Sequence, residues 1–437
     1  MPDPGRFETL GQAAWLTNAH VPGCVLDEVR LPGDDDGLVA VDLRIEDGRI
    51  TAIETPADRT GTVINLDHGI VFPAFVDMHT HLDKGHIWPR RANPDGTFMG
   101  ALQNVAEDRT ANWSAEDVRS RADFALRSAY AHGTAAIRTH LDSIPPQDAI
   151  TWPVFESLRE QWAGRIALQA VSLFGIESAR EPGFVDAIAD RVAAAGGVLG
   201  AVPYMVPDLH DLLVRIFGAA VDRGLDLDFH VDESLDPGAR ALETIAELAL
   251  ETGFAGRIVC GHCCSLSILD ETHADRILDK VARAGIAIVS LPMCNLYLQD
   301  RVAGRTPRHR GITLISEMRA RGIPVAIASD NTRDPFYAYG DLDALEVFRE
   351  AVRIGHLDHP IDQAAALITR APADIIGLAG YGRIAVGGPA DLVLFDGRSY
   401  TELLSRPEAH RVVLRDGMAI DRALPDYRDL DHLVGAA

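Results

Sequence analysis

The chain has 437 residues, 47% apolar and 24% charged, a balance that supports a large buried core and argues against long disorder. Its 64 acidic residues against 41 Lys and Arg give a formal charge of −23, a field that repels phosphate backbones and anionic lipid and excludes nucleic acid as a partner. No apolar run reaches membrane-spanning length, so neither a membrane helix nor a membrane partner is expected. The first twenty residues carry Asp3 and Glu8 and no basic-then-apolar pattern, so no signal peptide is expected. Five cysteines, odd in number and partly adjacent, do not read as a disulfide framework, and a cytoplasmic protein is expected.

Along the chain, short apolar runs alternate with longer amphipathic segments. The runs are 71–76, 134–137, 166–171, 198–202, 225–229, 257–259, 286–289 and 324–328. Each is apolar nearly throughout, as a strand buried on both faces reads. Helical spacing marks 115–131, 182–194, 208–222, 238–251 and 313–320. Gly133, Gly197, Gly224, Gly253, Gly285 and Gly322 fall where a left-handed helix C-cap is wanted. Eight strands alternating with helices predict an α/β fold, a (β/α)8 TIM barrel over residues 71–380. A doubly wound sheet would need a Gly-rich phosphate turn after its first strand, and none is present. The flanks read as short β runs, 39–45, 49–54, 391–395 and 410–415, with turn pairs Asp47-Gly48 and Asp416-Gly417. Residues 1–70 and 381–437 are therefore expected to form one small composite β-sandwich domain.

Barrel enzymes carry their chemistry at the C-terminal ends of the strands. There the sequence places His79 and His81, His140 and Asp142, His230 and Glu233, His262, Asn295, and Asp330-Asn331. With 16 histidines, chance alone gives about 0.6 His-x-His pairs, so His79/His81 alone is a weak signal. Residues two apart on a strand do share a face, which common ligation requires. Singly, His230 reads as a bonded core histidine, Glu233 as a solvated helix start and Asp330 as an N-cap. Jointly, three imidazoles and a carboxylate converging on one barrel mouth form an open site for one divalent ion, Zn²⁺, Fe²⁺ or Mn²⁺.

The run Phe72-Pro73-Ala74-Phe75-Val76-Asp77-Met78-His79-Thr80-His81-Leu82-Asp83 resembles the metal motif of the amidohydrolase superfamily. Phe229-His230-Val231-Asp232-Glu233, Gly261-His262, Asn295-Leu296-Tyr297-Leu298-Gln299 and Ser329-Asp330-Asn331 sharpen the likeness to its cytosine deaminase-like members. The resemblance covers nearly the whole chain. It implies one metal held by His79, His81, His230 and Asp330, with His262 beside the attacking water and Glu233 as proton shuttle. Asp330 would also take the water's proton. Related two-metal enzymes carry a bridging Lys after the fourth strand; here Tyr204 and Met205 stand there.

Two departures affect the substrate. Gly175 stands where cytosine deaminase has an amide-reading Gln, and Asn331 stands where it has an Asp. A pocket without the amide partner leaves polar atoms of cytosine unpaired, so another substrate is expected. Phe174, Gly175, Asn331, Phe336 and His140 are the candidate substrate-binding residues. The expected function is hydrolytic deamination of a small nitrogen heterocycle, C–NH2 to C=O plus ammonia. The alternatives are release of an alkylamine from an N-substituted ring, as in an N-isopropylammelide-type triazine, and hydrolysis of a cyclic amide. A non-catalytic binding barrel would be expected to lose Glu233 or Asp330, and both remain. The resemblance also implies a homo-oligomer. The basic stretch Arg301–Arg310 reads as a solvated or subunit-contact loop first and a substrate contact second. Cys260, Cys263 and Cys264 read as buried thiols.

Overall fold

A computed structural model describes residues 13–435; the reading of the first twenty residues therefore lies outside the described part up to residue 12. In chain order the strands are β1 (Ala13–Pro22), β2 (Leu38–Glu46), β3 (Arg49–Glu54), β4 (Val63–Asn65), β5 (Val71–Pro73), β6 (Phe75–Thr80), β7 (Thr134–Asp142) and β8 (Ala167–Leu173). They continue with β9 (Leu199–Ala201), β10 (Leu227–Val231), β11 (Ile258–His262), β12 (Ala287–Ser290), β13 (Val325–Ile327), β14 (Leu392–Phe395), β15 (Arg411–Arg415) and β16 (Met418–Ala419). The chain divides into two compact units. One comprises the residues up to Asp77, Arg127–Ala136 and Asp343–Leu424; the other comprises Met78–Leu126, Ile137–Leu342 and the segment from Pro425.

The first unit carries two four-stranded sheets, ordered β3-β2-β1-β4 and β16-β15-β14-β5. Leu16, Val41 and Leu43 from one and Leu392 and Leu414 from the other belong to one buried apolar cluster. The turn pairs behave as their sequence predicts: Asp47-Gly48 and Asp416-Gly417 have φ of 50°, 75°, 48° and 74°, the left-handed pair of a two-residue hairpin. Gly48 is also forced by space, since a Cβ there would stand 2.9 Å from the Asp416 carbonyl oxygen. Strand β1 escaped the sequence reading because its alternation shifts at a bulge between Leu16 and Ala19. The 71–76 run is two strands: Val71–Pro73 pairs antiparallel with β14, and the chain then starts β6 afresh. This unit reaches beyond the expected boundaries, taking in residues 127–136 and 343–380. Arg411 explains part of that, donating to both Asp343 oxygens (2.7 and 2.6 Å) and to the His132 carbonyl (3.1 Å).

The second unit is built on parallel strands. One sheet runs β13-β12-β11-β10-β9 and another β6-β7-β8. Parallel bridges Val171↔Val198 and Gly175↔Val202 join β8 to β9, and Thr80↔Asp330 joins β6 to the residues after β13. The eight strands thus close into a ring, the barrel arrangement the alternating pattern predicts. Helices Asp148–Gln161, Phe184–Ala195, Leu209–Arg223, Ala241–Thr252 and Glu271–Arg283 follow β7 to β11 in turn. Leu209–Arg223 and Ala241–Thr252 end on the expected left-handed glycines, Gly224 and Gly253; Phe184–Ala195 ends one residue early, on Gly196 rather than Gly197. Among the described residues no helix is long and apolar enough to cross a membrane.

Candidate metal centre and active site

His79 lies in β6 and His81 just beyond it, His230 in β10, His262 at the end of β11, and Asp330 three residues past β13. All five are buried. His79 Nε2 is 3.1 Å from His230 Nε2, which is 3.1 Å from His81 Nε2. Asp330 Oδ1 stands 3.2 Å from His81 Nε2 and 3.6 Å from His79 Nε2. Ligands at about 2.1 Å from one ion, at angles between square and tetrahedral, lie about 3.0–3.4 Å apart. Three of these four separations fall in that range and the fourth, 3.6 Å, lies just above it, and the donor set of three imidazoles and a carboxylate suits a shared divalent cation. His262 also reaches this group, its ligating atom lying within 4.8 Å of those of His79, His230 and Asp330. Burial, reinforced by neighbouring positive charge, holds His79, His81 and His230 well below the usual imidazole range. They are neutral at pH 7, the form that binds a metal.

The backbone is bent to aim these groups. His262 has φ 68° and Asp330 φ 66°, a left-handed conformation that costs an L-residue about 1–2 kcal/mol. Asp330 is fixed there because its N–H donates to the His79 carbonyl at 2.9 Å, the bond that closes the ring. Such strain collects where a side chain must face a fixed point.

Glu233 follows β10 by two residues. Asn295, in the helix Pro292–Leu298 after β12, donates through Nδ2 to Glu233 Oε1 (3.2 Å) and meets His262 Nδ1 at 3.0 Å. Burial and then the Asp330 charge push the Glu233 carboxyl well above its ordinary range. Burial lowers His262 to about 3, so its ring is neutral. Neutral His262 with Nδ1 accepting from Asn295 carries its proton on Nε2.

The other candidates fall in different places. His140 is buried within β7, its ring 4.1 Å from that of His79, with Nε2 4.0 Å from Asp228 Oδ1. Asp228 is bonded to Arg138 at 2.8 Å. Asn331 is buried and donates to Asp334 at 2.7 Å. Phe336 packs edge-on against Phe98, and Phe174 packs edge-on against Phe184. Gly175 opens a space in which an added Cβ would sit 3.7 Å from the Tyr204 hydroxyl. In the basic stretch, Arg305 pairs with Asp300, and Arg301 lies over the Tyr297 ring at 4.5 Å. Four of the five cysteines, Cys260, Cys263, Cys264 and Cys294, are buried.

Lys84 was missed by the sequence reading. It is buried three residues after His81, with Nζ 3.0 Å from Asp142 Oδ1 and 5.7 Å from the Phe336 ring centre. Its signal was compositional: of 41 basic residues only Lys84 and Lys280 are lysine.

The chain is 55% identical over 423 residues to a pterin deaminase of Rhizobium rhizogenes, covering 96% of this chain and 97% of that one. It superposes on a 5-methylcytosine deaminase of Klebsiella pneumoniae liganded with 5-fluorocytosine, TM-score 0.81 and 25% identity, over 94% of this chain and 97% of that one. An N-isopropylammelide isopropylaminohydrolase of Burkholderia multivorans matches with TM-score 0.74 and 25% identity, over 95% and 100%. A sequence model described as the Amidohydrolase family matches residues 154–420. With that match spanning more than half the chain and a relative this similar along its whole length, the chain belongs to the amidohydrolase family.

Proposed function

We propose that the substrate is a pterin, a 2-amino-4-oxopteridine whose C2–NH2 is converted to C2=O with release of ammonia. The chain is a hydrolytic deaminase acting on a small nitrogen heterocycle. The observation that carries the substrate assignment is 55% identity along 96% of the chain to a protein named for pterin deamination. Gly175 and Asn331, which depart from the cytosine pattern, favour a ring other than cytosine.

We read His79, His81, His230 and Asp330 as the ligands of one Zn²⁺ or Fe²⁺, with Mn²⁺ also suited to the donor set. When bound, such an ion acts as a Lewis acid that makes water nucleophilic near neutral pH. Asp330 accepts a proton from the attacking water. His262, its Nδ1 held by Asn295, donates from Nε2 and fixes that water. Glu233 gives a proton to the ring nitrogen beside the attacked carbon, then carries the proton lost by the added hydroxyl, as C2=O forms, to the departing amine; the proton held by Asp330 passes to Glu233 and restores both carboxyls. Phe174, Gly175, Asn331, Phe336 and His140 belong to the walls or supports of the substrate pocket in this reading. The two sheets of the first unit form its composite β-sandwich, and a cytoplasmic homo-oligomer completes it.

The likeness to the isopropylaminohydrolase favours a second reading, release of an alkylamine from an N-substituted triazine. Purified enzyme is to be assayed for ammonia from pterin and from cytosine, and for isopropylamine from N-isopropylammelide. Ammonia from pterin with kcat/KM of at least about 10⁴ M⁻¹s⁻¹ is expected. Isopropylamine without ammonia overturns the reading.

A further inference from the structure

We infer that Lys84 binds the substrate directly, donating a hydrogen bond to the ring carbonyl oxygen from the side of the barrel mouth opposite Glu233. The inference rests on the deaminase reading above and goes on to assign what selects the ring.

The chain uses arginine almost everywhere it needs a cation, and its other lysine, Lys280, makes a surface pair with Glu243 and Glu247. Lys84 is different: it is only 5% exposed. It sits in the tight turn after β6, where the N–H groups of Lys84 and Gly85 both reach the His81 carbonyl, at 3.3 and 3.1 Å. That turn sets Lys84 three residues after His81 in the chain, with its ammonium against Asp142 and the Phe336 ring. An ammonium has three N–H groups. One carboxylate oxygen, Asp142 Oδ1, and the Phe336 face leave donor capacity for another acceptor. Neutralising Asp142 does not demand a lysine, because Arg109 already donates to its second oxygen at 2.6 Å.

Ring topology sets the direction. In the closed order β6 to β13, β10 is four places from β6, so the turn carrying Lys84 and the loop carrying Glu233 face each other across the mouth. A flat ring between them meets a proton-transferring carboxyl on one edge and a cation on the other. In a 2-aminopyrimidine ring attacked at C2, N1 adjoins the reacting carbon and C4 lies across from N1. With Glu233 at N1, Lys84 meets the substituent on C4. Lysine only donates, so it accepts a 4-oxo ring and rejects a 4-amino ring, which presents donors.

The test is kcat/KM for ammonia release from the C2 position of 2-amino-4-oxopteridine and of 2,4-diaminopteridine. It is run on the wild type, Lys84→Met and Lys84→Gln, with metal content and Tm recorded for each. The wild type is expected to prefer the oxo ring by about 100-fold or more. Lys84→Met is expected to lose about 100-fold on the oxo ring and less than about threefold on the diamino ring, with metal retained. Lys84→Gln, whose amide oxygen accepts from a 4-amino group, shifts preference toward the diamino ring. A folded, metal-loaded variant that loses activity equally on both rings, or keeps the wild-type ratio, overturns the proposal while the deaminase reading stands. If Lys84→Met does not fold, the glutamine variant decides by the same ratio. Should neither fold, a wild type without preference between the rings overturns the assignment and a strong oxo preference supports it. A wild type that releases ammonia from no heterocycle overturns both.

Discussion

Asn295 and His262 are joined through a single amide nitrogen, Nδ2 to Nδ1 at 3.0 Å, and that nitrogen also reaches Glu233 at 3.2 Å. One neutral side chain from the helix Pro292–Leu298 after β12 thereby sets the tautomer of the histidine and the position of the carboxyl. An amide can only donate from nitrogen, so His262 must hold its proton on Nε2. Replacing Asn295 by Asp reverses that preference and places a second carboxylate beside Glu233. We expect kcat for Asn295→Asp to fall about 100-fold or more, with KM and metal content near the parental values. Steady-state kinetics with elemental analysis checks this; an unaffected kcat means that the tautomer does not matter.

Metal loading tests the four-atom cluster itself. Atoms 3.1–3.6 Å apart in a buried pocket, three of them imidazole nitrogens, bind one cation or repel each other's lone pairs. One equivalent of divalent metal per chain is expected after dialysis. Stripping it with a chelator is expected to abolish activity and lower Tm, because a ligand present at 1,000 times its Kd stabilises the native state by about 4 kcal/mol. His230→Asn is expected to reduce bound metal at a fixed free concentration. A chain that melts identically with and without metal would rule the centre out.

The ends of the barrel strands were legible in the sequence because burial on both faces leaves an apolar run that stops where chemistry begins. His79, His81, His230, His262 and Asp330 each stand at such a stop, and the structure brings their side chains together. What could not be read depends on contacts between distant segments. Lys84 follows the motif that ends at Asp83, and nothing in its spacing places Asp142 and Phe336 beside it. Asn295 was noted at a strand end, but its link to Glu233 spans 62 residues. Phe174 at a rim reads equally as a stacking or a packing aromatic, and only the structure shows that the residue is 3% exposed and packs on Phe184. Strand β1 has no clean period because a bulge changes its phase.

Gly261 supplies a test that removes no ligand. It lies in β11 one residue before His262, and a Cβ built there would stand 3.1 Å from Cε1 of His79 and 3.4 Å from its Nδ1. The imidazole of His79 is also packed against His140, so it cannot simply retreat. Gly261→Ala should therefore turn the His79 ring out of line. We expect metal affinity to fall about tenfold, measured by competition with a chromophoric chelator, alongside an overpacking cost of about 1–3 kcal/mol in Tm. Unchanged affinity would mean that His79 has room to adapt or takes no part in binding.

The pair Asp343–Arg411 makes the first unit sensitive to acid. Burial alone would raise the Asp343 carboxyl, but the Arg411 charge and its two hydrogen bonds outweigh burial and hold Asp343 far below the usual range. Asp343 also caps the helix Ala344–Gly355 through the Leu345 N–H. A carboxyl whose folded pKa is depressed contributes stability in full above its unfolded value of about 3.9, and that contribution drains away as pH falls below it. We therefore expect Tm to be flat in this contribution from pH 7 to about pH 5 and to drop steeply below about pH 4. Asp343→Asn should lower Tm most near pH 7, leave Arg411 partly unsatisfied at a cost of about 3 kcal/mol, and show a gap to the wild type that begins to narrow only below about pH 4. Melts of the two proteins across that range decide it: parallel curves with a constant gap would mean that the pair is not what titrates.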